Sequence, residues 1–327
     1  MVAKLLSSLA CGLALALPLP HAAAQAYPEK PVRLVVPFPP GGAADVLARV
    51  VAGDLTQTLG QRFIVENRPG ASGNIGMDFV ARAPADGYTL LWASASIAIN
   101  NSLIPQTPFD PQKDFTPVSL LAMVPSVMVV PTSLPVATVQ ELIALSKSKP
   151  GTLNYASNGI GTTQHLAGVM LRNATGADLT HVVYKGQDVL VPDLVGGRVH
   201  VSFNNLAAVQ GFVTKGDLKV LAVALPKRWP GLPDVPTFAE AGVPGFEISS
   251  WLALLGPAGM PPAVVEQLNR AVVATVRKPE IIDKILKSGN QPVGGSPAEL
   301  ATFLKAEIGR WSEAVRASGA GKPGAGK

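Results

Sequence analysis

Arg33-Leu34-Val35-Val36-Pro37-Phe38-Pro39-Pro40-Gly41-Gly42-Ala43-Ala44-Asp45 joins a β-branched apolar run to a helical one through paired glycines. Residues 33–37 read as a strand and Gly41-Gly42 as a tight turn. From Ala43 onward, Leu47, Val51, Leu55 and Leu59 recur on one helical face until Gly60 stops the helix. The cycle repeats downstream. Residues 62–66 form a second strand, leading through Gly70-Ala71-Ser72-Gly73 into a helix over about 75–83. A third strand over 88–92 runs into Ser94-Ala95-Ser96 and a further apolar segment. Such alternation predicts βαβ units, hence a mostly parallel sheet with helices on both faces.

A second series begins beyond the apolar stretch 118–130. Leu153-Asn154-Tyr155-Ala156 reads as a strand, followed by Ser157-Asn158-Gly159-Ile160-Gly161 and a helix reaching Arg172. Strands follow at 182–184, 199–203 and 218–224. The Pro-rich stretch 226–244 is expected to be a linker carrying one short helix. An extended run over 246–255 then gives way to helices over 262–276 and 279–287. A last helix is opened by Ser296-Pro297-Ala298-Glu299, a capping-box signature. The Gly, Ala and Lys tail, 317–327, is expected to be disordered.

The chain has 327 residues, 47% hydrophobic and only 15% charged, enough for about two globular domains. That composition excludes collagens, coiled coils and disordered chains. The net charge of +5 is scattered rather than gathered into a basic arm, so no nucleic-acid partner is expected. The first 26 residues combine Lys4, an apolar stretch over 5–19 and Ala22-Ala23-Ala24-Gln25-Ala26, the three parts of a cleavable secretory signal. The mature chain is therefore expected to begin near Tyr27. The single cysteine, Cys11, lies inside that leader, which removes disulfides, thiol nucleophiles and thiolate metal sites from the mature protein.

In open α/β sheets, ligands bind where strand ends turn into helices whose first amides lack partners. Two segments have that form, residues 37–45 and Asn158-Gly159-Ile160-Gly161-Thr162-Thr163-Gln164-His165. Neither is a nucleotide fingerprint: the first has no Lys after its glycines, and Gln164 stands where the last Gly of GxGxxG would be. No GxSxG elbow occurs, and His165, His181 and His200 are spaced too widely for a metal motif, so no cofactor and no metal are expected. Plainer readings stay open. Gly41-Gly42 can be a turn alone, Asp45 a helix cap, His165 a capping or surface residue, Tyr184-Lys185 a solvated loop, and Asn74 and Asn204 turn residues. Two helix starts from separate α/β series, facing one another across a cleft, would instead hold an anion through backbone amides, with hydroxyl and amide side chains around it.

The motifs Tyr27-Pro28-Glu29-Lys30-Pro31-Val32-Arg33, Val36 to Gly42 with Asp45 and Arg49, Glu66-Asn67-Arg68-Pro69-Gly70-Ala71-Ser72-Gly73-Asn74, Ala83 to Leu90, Tyr184-Lys185-Gly186 and Val235 to Gly242 resemble those of the Bug family. Its members are the periplasmic solute receptors of tripartite tricarboxylate transporters, and the likeness covers essentially the whole mature chain. It implies a non-enzymatic, two-domain periplasmic-binding-protein fold of the Venus-flytrap type with two crossover hinge strands. One domain would comprise 27–122 with 248–327, and the other 123–247. It further implies a small organic carboxylate as ligand, the membrane permease subunits of such a transporter as partner, a periplasmic location and a monomeric receptor. By the same analogy Phe38, Gly41, Gly42, Ala43, Ala44 and Asp45 form the carboxylate loop, the amides of Gly41 to Ala44 donating. Asn74, Ser94, Thr162, Thr163, Gln164, Tyr184 and Asn204 would be wall residues. Two departures bear on selectivity. Gln187-Asp188-Val189 stands where Ala-Pro is common, and Phe203-Asn204-Asn205 where Phe-Asp-Asn is frequent. The rivals are a periplasmic sensor subunit for a membrane kinase and, from another class, a secreted hydrolase or lyase using His165 with Asp188 or Tyr184.

Overall fold

A computed structural model describes residues 27–41, 43–104 and 106–319, the side chain of Ala43 excepted. The expected signal peptide, Gly42 and most of the expected tail lie outside the described residues. In the first lobe, β1 (Val32–Val36), α1 (Ala43–Leu59), β2 (Phe63–Asn67), α2 (Asn74–Ala81), β3 (Thr89–Ser94) and α3 (Ser96–Leu103) follow one another. β1 pairs parallel with both β2 and β3. Leu47, Val51 and Leu55 are buried along α1, as their spacing requires.

The apolar stretch over 118–130 belongs to one long strand, β4 (Phe115–Pro131), which serves two sheets. Its first half pairs antiparallel with the later strand β9 (Ser249–Pro257), and from Ser126 its second half pairs antiparallel with β7 (Val201–Asn205) and β8 (Leu218–Val223). Around it the second lobe is built from α4 (Val139–Ser148), β5 (Asn154–Ser157), α5 (Thr163–Thr175), β6 (Thr180–Val183), α6 (Gln187–Val195) and α7 (Leu206–Lys215). β5 lies parallel between β6 and β7. The chain returns through β9, which pairs antiparallel with β3, and finishes in α8 (Pro262–Val276), α9 (Pro279–Lys287), the short β10 (Gln291–Pro292) and α10 (Pro297–Ser318). The result is a two-lobed α/β fold.

Sequence periodicity misses α4, α6 and α7. Each is short, and α6 carries Pro192 inside it. Two expectations are corrected. The stretch 226–244 contains no helix, because its prolines remove the amide donors a helix needs. Nor does it hang free: Trp229 and Phe238 are buried, and Val223 forms a bridge with Thr237. The last helix extends through Ala317 and Ser318 into the expected tail, because buried Trp311, Ala314 and Val315 continue its apolar stripe to the closing Gly319. Its capping box forms as read, with Ser296 and Glu299 bonded reciprocally.

Behind the second sheet, Gly168 in α5 leaves room for the Tyr155 ring, since a Cβ there would meet that ring at 2.0 Å. Tyr155 stacks on His181 at 4.7 Å between centroids, and His181 stacks on His165 at 4.3 Å. Far apart in sequence, the two histidines are thus neighbours through the stacking of their rings. No group of His, Cys, Asp or Glu among the described residues is arranged to hold a metal ion.

Candidate functional site

Three adjoining cavities of about 290, 430 and 270 Å³ meet at Ser250, beside the long crossing strand. The largest is walled by Phe38, Ser94 and Ser96 from the first lobe and by Ile160 to Thr163 from the second. Wall residues follow the carboxyl ends of β1, β3, β5, β6 and β7, where the sheet hands over to helices.

At the first-lobe end, Asp45 is only 3% exposed and acts as a scaffold. Its carboxylate accepts from the Gly41 amide at 3.0 Å, from Arg49 Nε and Nη2 at 3.0 Å each, and from Asn67 Nδ2 at 2.8 Å. Asn67 also donates to the Phe38 carbonyl, tying the loop to the end of β2. The Arg49 hydrogen bonds foremost, then those of Gly41 and Asn67, hold the Asp45 pKa at about 2 against the opposing effect of burial. Gly41, expected as an amide donor to ligand, therefore directs its N–H to Asp45. Gly42 lies outside the described residues, Ala43 opens α1, and Ala44 borders the third cavity.

In the middle, Ser94 and Ser96 place their hydroxyls 2.9 Å apart, and both border the largest cavity. Asn74 stands one layer back. Its Oδ1 accepts from Asn100 Nδ2 at 2.8 Å, and Asn100, which also donates to the Ser72 carbonyl, is the residue that reaches the wall. Sequence reading passed over Asn100. Its one signal is an amide inside the otherwise apolar first turns of α3.

At the second-lobe end, Thr162 caps α5 by accepting from the His165 amide and donates to the Gly159 carbonyl at 2.8 Å. Thr163 and Gln164 line the adjoining cavity. Gln164 Oε1 accepts from the Asn158 amide at 2.9 Å, while its Nε2 donates to Asn204 Oδ1 at 2.9 Å. Gln187, given no role from the sequence, donates to the same Asn204 oxygen at 2.7 Å and lines the cavity, whereas Asp188 is exposed. Tyr184 is not part of this wall: its hydroxyl donates to Asp193 at 2.9 Å, and burial first, then that bond, raises its pKa.

The geometry demanded by the enzymatic rival is not assembled among the described residues. His165 Nδ1 accepts from the Gly161 amide at 3.0 Å, its ring stacks on His181, and burial lowers its pKa. Tyr184 turns to Asp193 instead. Among the described residues lining the three cavities there is no Lys, Arg, Asp or Glu. Whatever attraction this cleft exerts on an anion comes from helix starts, amides and hydroxyls.

The profile of the tripartite tricarboxylate transporter family receptor matches residues 47–320. BugT of Bordetella pertussis is 39% identical over 91% of this chain and 92% of its own. Among solved structures, the R. palustris protein Rpa4515 with adipate is 40% identical and aligns with a TM-score of 0.78, covering 90% of this chain and 98% of that one. MatC from Rhodopseudomonas palustris, with bound malate, is 31% identical with a TM-score of 0.75, covering 88% and 100%. Matched along nearly its whole described length, the chain belongs to the receptor family of the tripartite tricarboxylate transporters, whose members are solute-binding proteins rather than enzymes.

Proposed function

We propose that this receptor captures a small organic carboxylate between its lobes in the periplasm and presents the closed form to the permease of a tripartite transporter. The lobes divide at 122/123 and 247/248, with residues 1–26 removed on export. The observation that carries the reading is a cleft bordered by helix starts from both lobes, with an uncharged wall among the described residues. Each helix start favours an anion by about 0.3 to 1 kcal/mol, up to about 2 when partly buried. Several acting together, with hydroxyl and amide hydrogen bonds, reach toward the roughly 8 kcal/mol of a micromolar complex. The two similar receptors with adipate and malate bound support an acidic ligand.

In this reading the loop from Phe38 to Ala44, steadied by Asp45, grips the carboxylate. Ser94, Thr162, Thr163, Gln164 and the buried pair Asn74 and Asn204 shape the remainder, Tyr184 acting from behind the wall. Closure is a hinge movement that the ligand favours through its higher affinity for the closed form. Thermal melting of the mature protein against matched acids and uncharged amides tests this. An acid present at about 100 times its Kd should add about 2.7 kcal/mol and raise Tm by about 5 °C, and the fully amidated compound should not. Equal stabilisation by both would overturn the anion site.

A further inference from the structure

We infer that the solute is a monocarboxylate with a hydrocarbon body, an aryl or alkyl acid whose single charged head sits where the three cavities meet and whose apolar part fills the largest of them. The inference rests on the carboxylate reading above and deepens it. Free hydroxyls gather at that meeting point. Ser250 borders all three cavities, Thr163 those of about 290 and 430 Å³, and Ser94 those of about 430 and 270 Å³. The hydroxyls of Thr163 and Ser250 have no hydrogen-bond partner among the described residues. Ser94 and Ser96, bonded to each other at 2.9 Å, spend one hydroxyl hydrogen between them and keep one to donate. Thr163 also opens α5, so its own amide and that of Gln164 lack helical acceptors. A carboxylate only accepts, and here it meets donors from both lobes.

Away from that point the wall changes character. The side chains bordering the largest cavity alone are chiefly apolar, Pro37, Pro39, Ile99, Leu103 and Ile160 among them, and Phe38 borders it together with the third cavity. Polar groups on this wall are already committed. Both Asn100 Nδ2 hydrogens go to the Ser72 carbonyl and to Asn74, the Thr162 hydroxyl donates to the Gly159 carbonyl and accepts from the His165 amide, and Ser72 is exposed. A second carboxylate or a hydroxylated body placed there would give up its water without regaining donors. A hydrocarbon would not. An apolar cavity of about 150 Å³ already admits benzene, so one of about 430 Å³ has room for a ring with its side chain. Phe38, Ile99 and Leu103 belong to the first lobe and Ile160 to the second, so a hydrocarbon between them is buried further as the lobes approach and favours the closed form.

Isothermal titration of the mature protein with butyrate, hexanoate, octanoate and 3-phenylpropionate tests the assignment, with adipate and 6-hydroxyhexanoate as polar-ended counterparts of hexanoate and with hexanamide and 3-phenylpropanamide as uncharged ones. Affinity should rise at least about fivefold at each two-carbon step. Hexanoate should bind at least about tenfold more tightly than adipate or 6-hydroxyhexanoate. Ile160→Ser, a change at a side chain 40% exposed, should shrink the ratio of octanoate to butyrate affinity at least about threefold. A flat series, or adipate or 6-hydroxyhexanoate matching hexanoate, overturns this inference and leaves the carboxylate reading standing. An amide that matches its acid overturns the carboxylate reading itself. Silence from every hydrocarbon acid while other acids bind also overturns the inference.

Discussion

The two ends of the cleft keep their polar groups in order by opposite means. At the first-lobe end the ordering element is an ion pair, Asp45 with Arg49, set behind the loop, and among the described residues none of its charge reaches the cavity. At the second-lobe end the ordering element is a chain of neutral amides, two of whose members, Gln164 and Gln187, form the wall. The difference follows from desolvation. A charged wall group would have to be stripped of water at every capture, whereas a charge behind the wall is stripped once, on folding. Charge can therefore organise one loop from behind the wall, while neutral amides order the wall itself at the other end.

The largest expected effect comes from breaking the amide chain. Gln164→Leu leaves the Asn158 amide without a partner, at about 1 to 3 kcal/mol, and takes from the Asn204 oxygen one of its two bonds, at about 0.5 to 1.5 kcal/mol more. A loss of about 2 to 4 kcal/mol in urea unfolding is expected. A loss under about 1 kcal/mol would mean that the amides are not a unit and would erase the contrast between the two ends. Next comes Asp45→Asn, which keeps the shape but weakens the charge-assisted bonds from Arg49. About 1 to 3 kcal/mol is expected, with weaker ligand binding. Because the folded pKa of Asp45 lies near 2, below its unfolded value of about 3.9, its contribution is complete above pH 4 and is lost as pH falls toward 2. Stability curves for the wild type and this variant should therefore converge in that window.

A smaller effect probes how the ends are brought together. Gly161 in the second lobe lies against Leu103 in the first, so that a Cβ at position 161 would fall 1.9 Å from Leu103 Cδ2. Its φ of +78° adds backbone strain for any other residue. Gly161→Ala should weaken ligand binding by about tenfold, roughly 1.4 kcal/mol, by opposing the approach of the lobes. Adding Leu103→Ala should restore the steric part and leave the strain. If the double variant binds no better than the single one, the contact plays no part in closure.

Much of this was legible in the chain, and what was not has identifiable causes. Leu47, Val51 and Leu55 repeat at helical spacing with Gly60 after them, so α1 was readable to its ends, and the prolines at the starts of α8 and α9 marked those helices equally well. Helices α4, α6 and α7 were not, because at nine or ten residues they lack the opening proline that marks α9 at the same length. In the site, Asp45 and Thr162 carried their own local signal, each a cap type at the start of a helix. Asn100 carried only its amide among apolar neighbours in α3, and Gln187 carried none. They reach the wall only because α3 and α6 begin at strand ends beside it, which is a property of the sheet order rather than of neighbouring residues. The same reason hid the contact between His165 and His181: the pairing of β5 with β6 sets His181 beside Tyr155, and α5 brings His165 onto the other side of the His181 ring.

That histidine pair gives the smallest effect and the most direct probe of what holds the second-lobe loop. Ser157 donates to the Gly159 carbonyl, so it accepts from His181 Nε2 at 2.7 Å, and His165 Nδ1 accepts from the Gly161 amide. The His165 ring is therefore neutral in the folded protein. Burial foremost, then His165 and Arg172, lowers the His181 pKa to about 4, and burial lowers that of His165. The unfolded chain, with histidine near 6.5, binds more protons below that value. Stability should then be complete above about pH 6.5 and decline as pH falls toward 4. Protonated His165 would also lose its bond from Gly161 and loosen the loop that meets Leu103. His181→Gln retains a donor for Ser157 without titrating. Over pH 7 to 4.5 the wild type should lose about 2 °C more in Tm than this variant, and parallel curves would assign the acid sensitivity of the second-lobe end to groups other than the stacked rings.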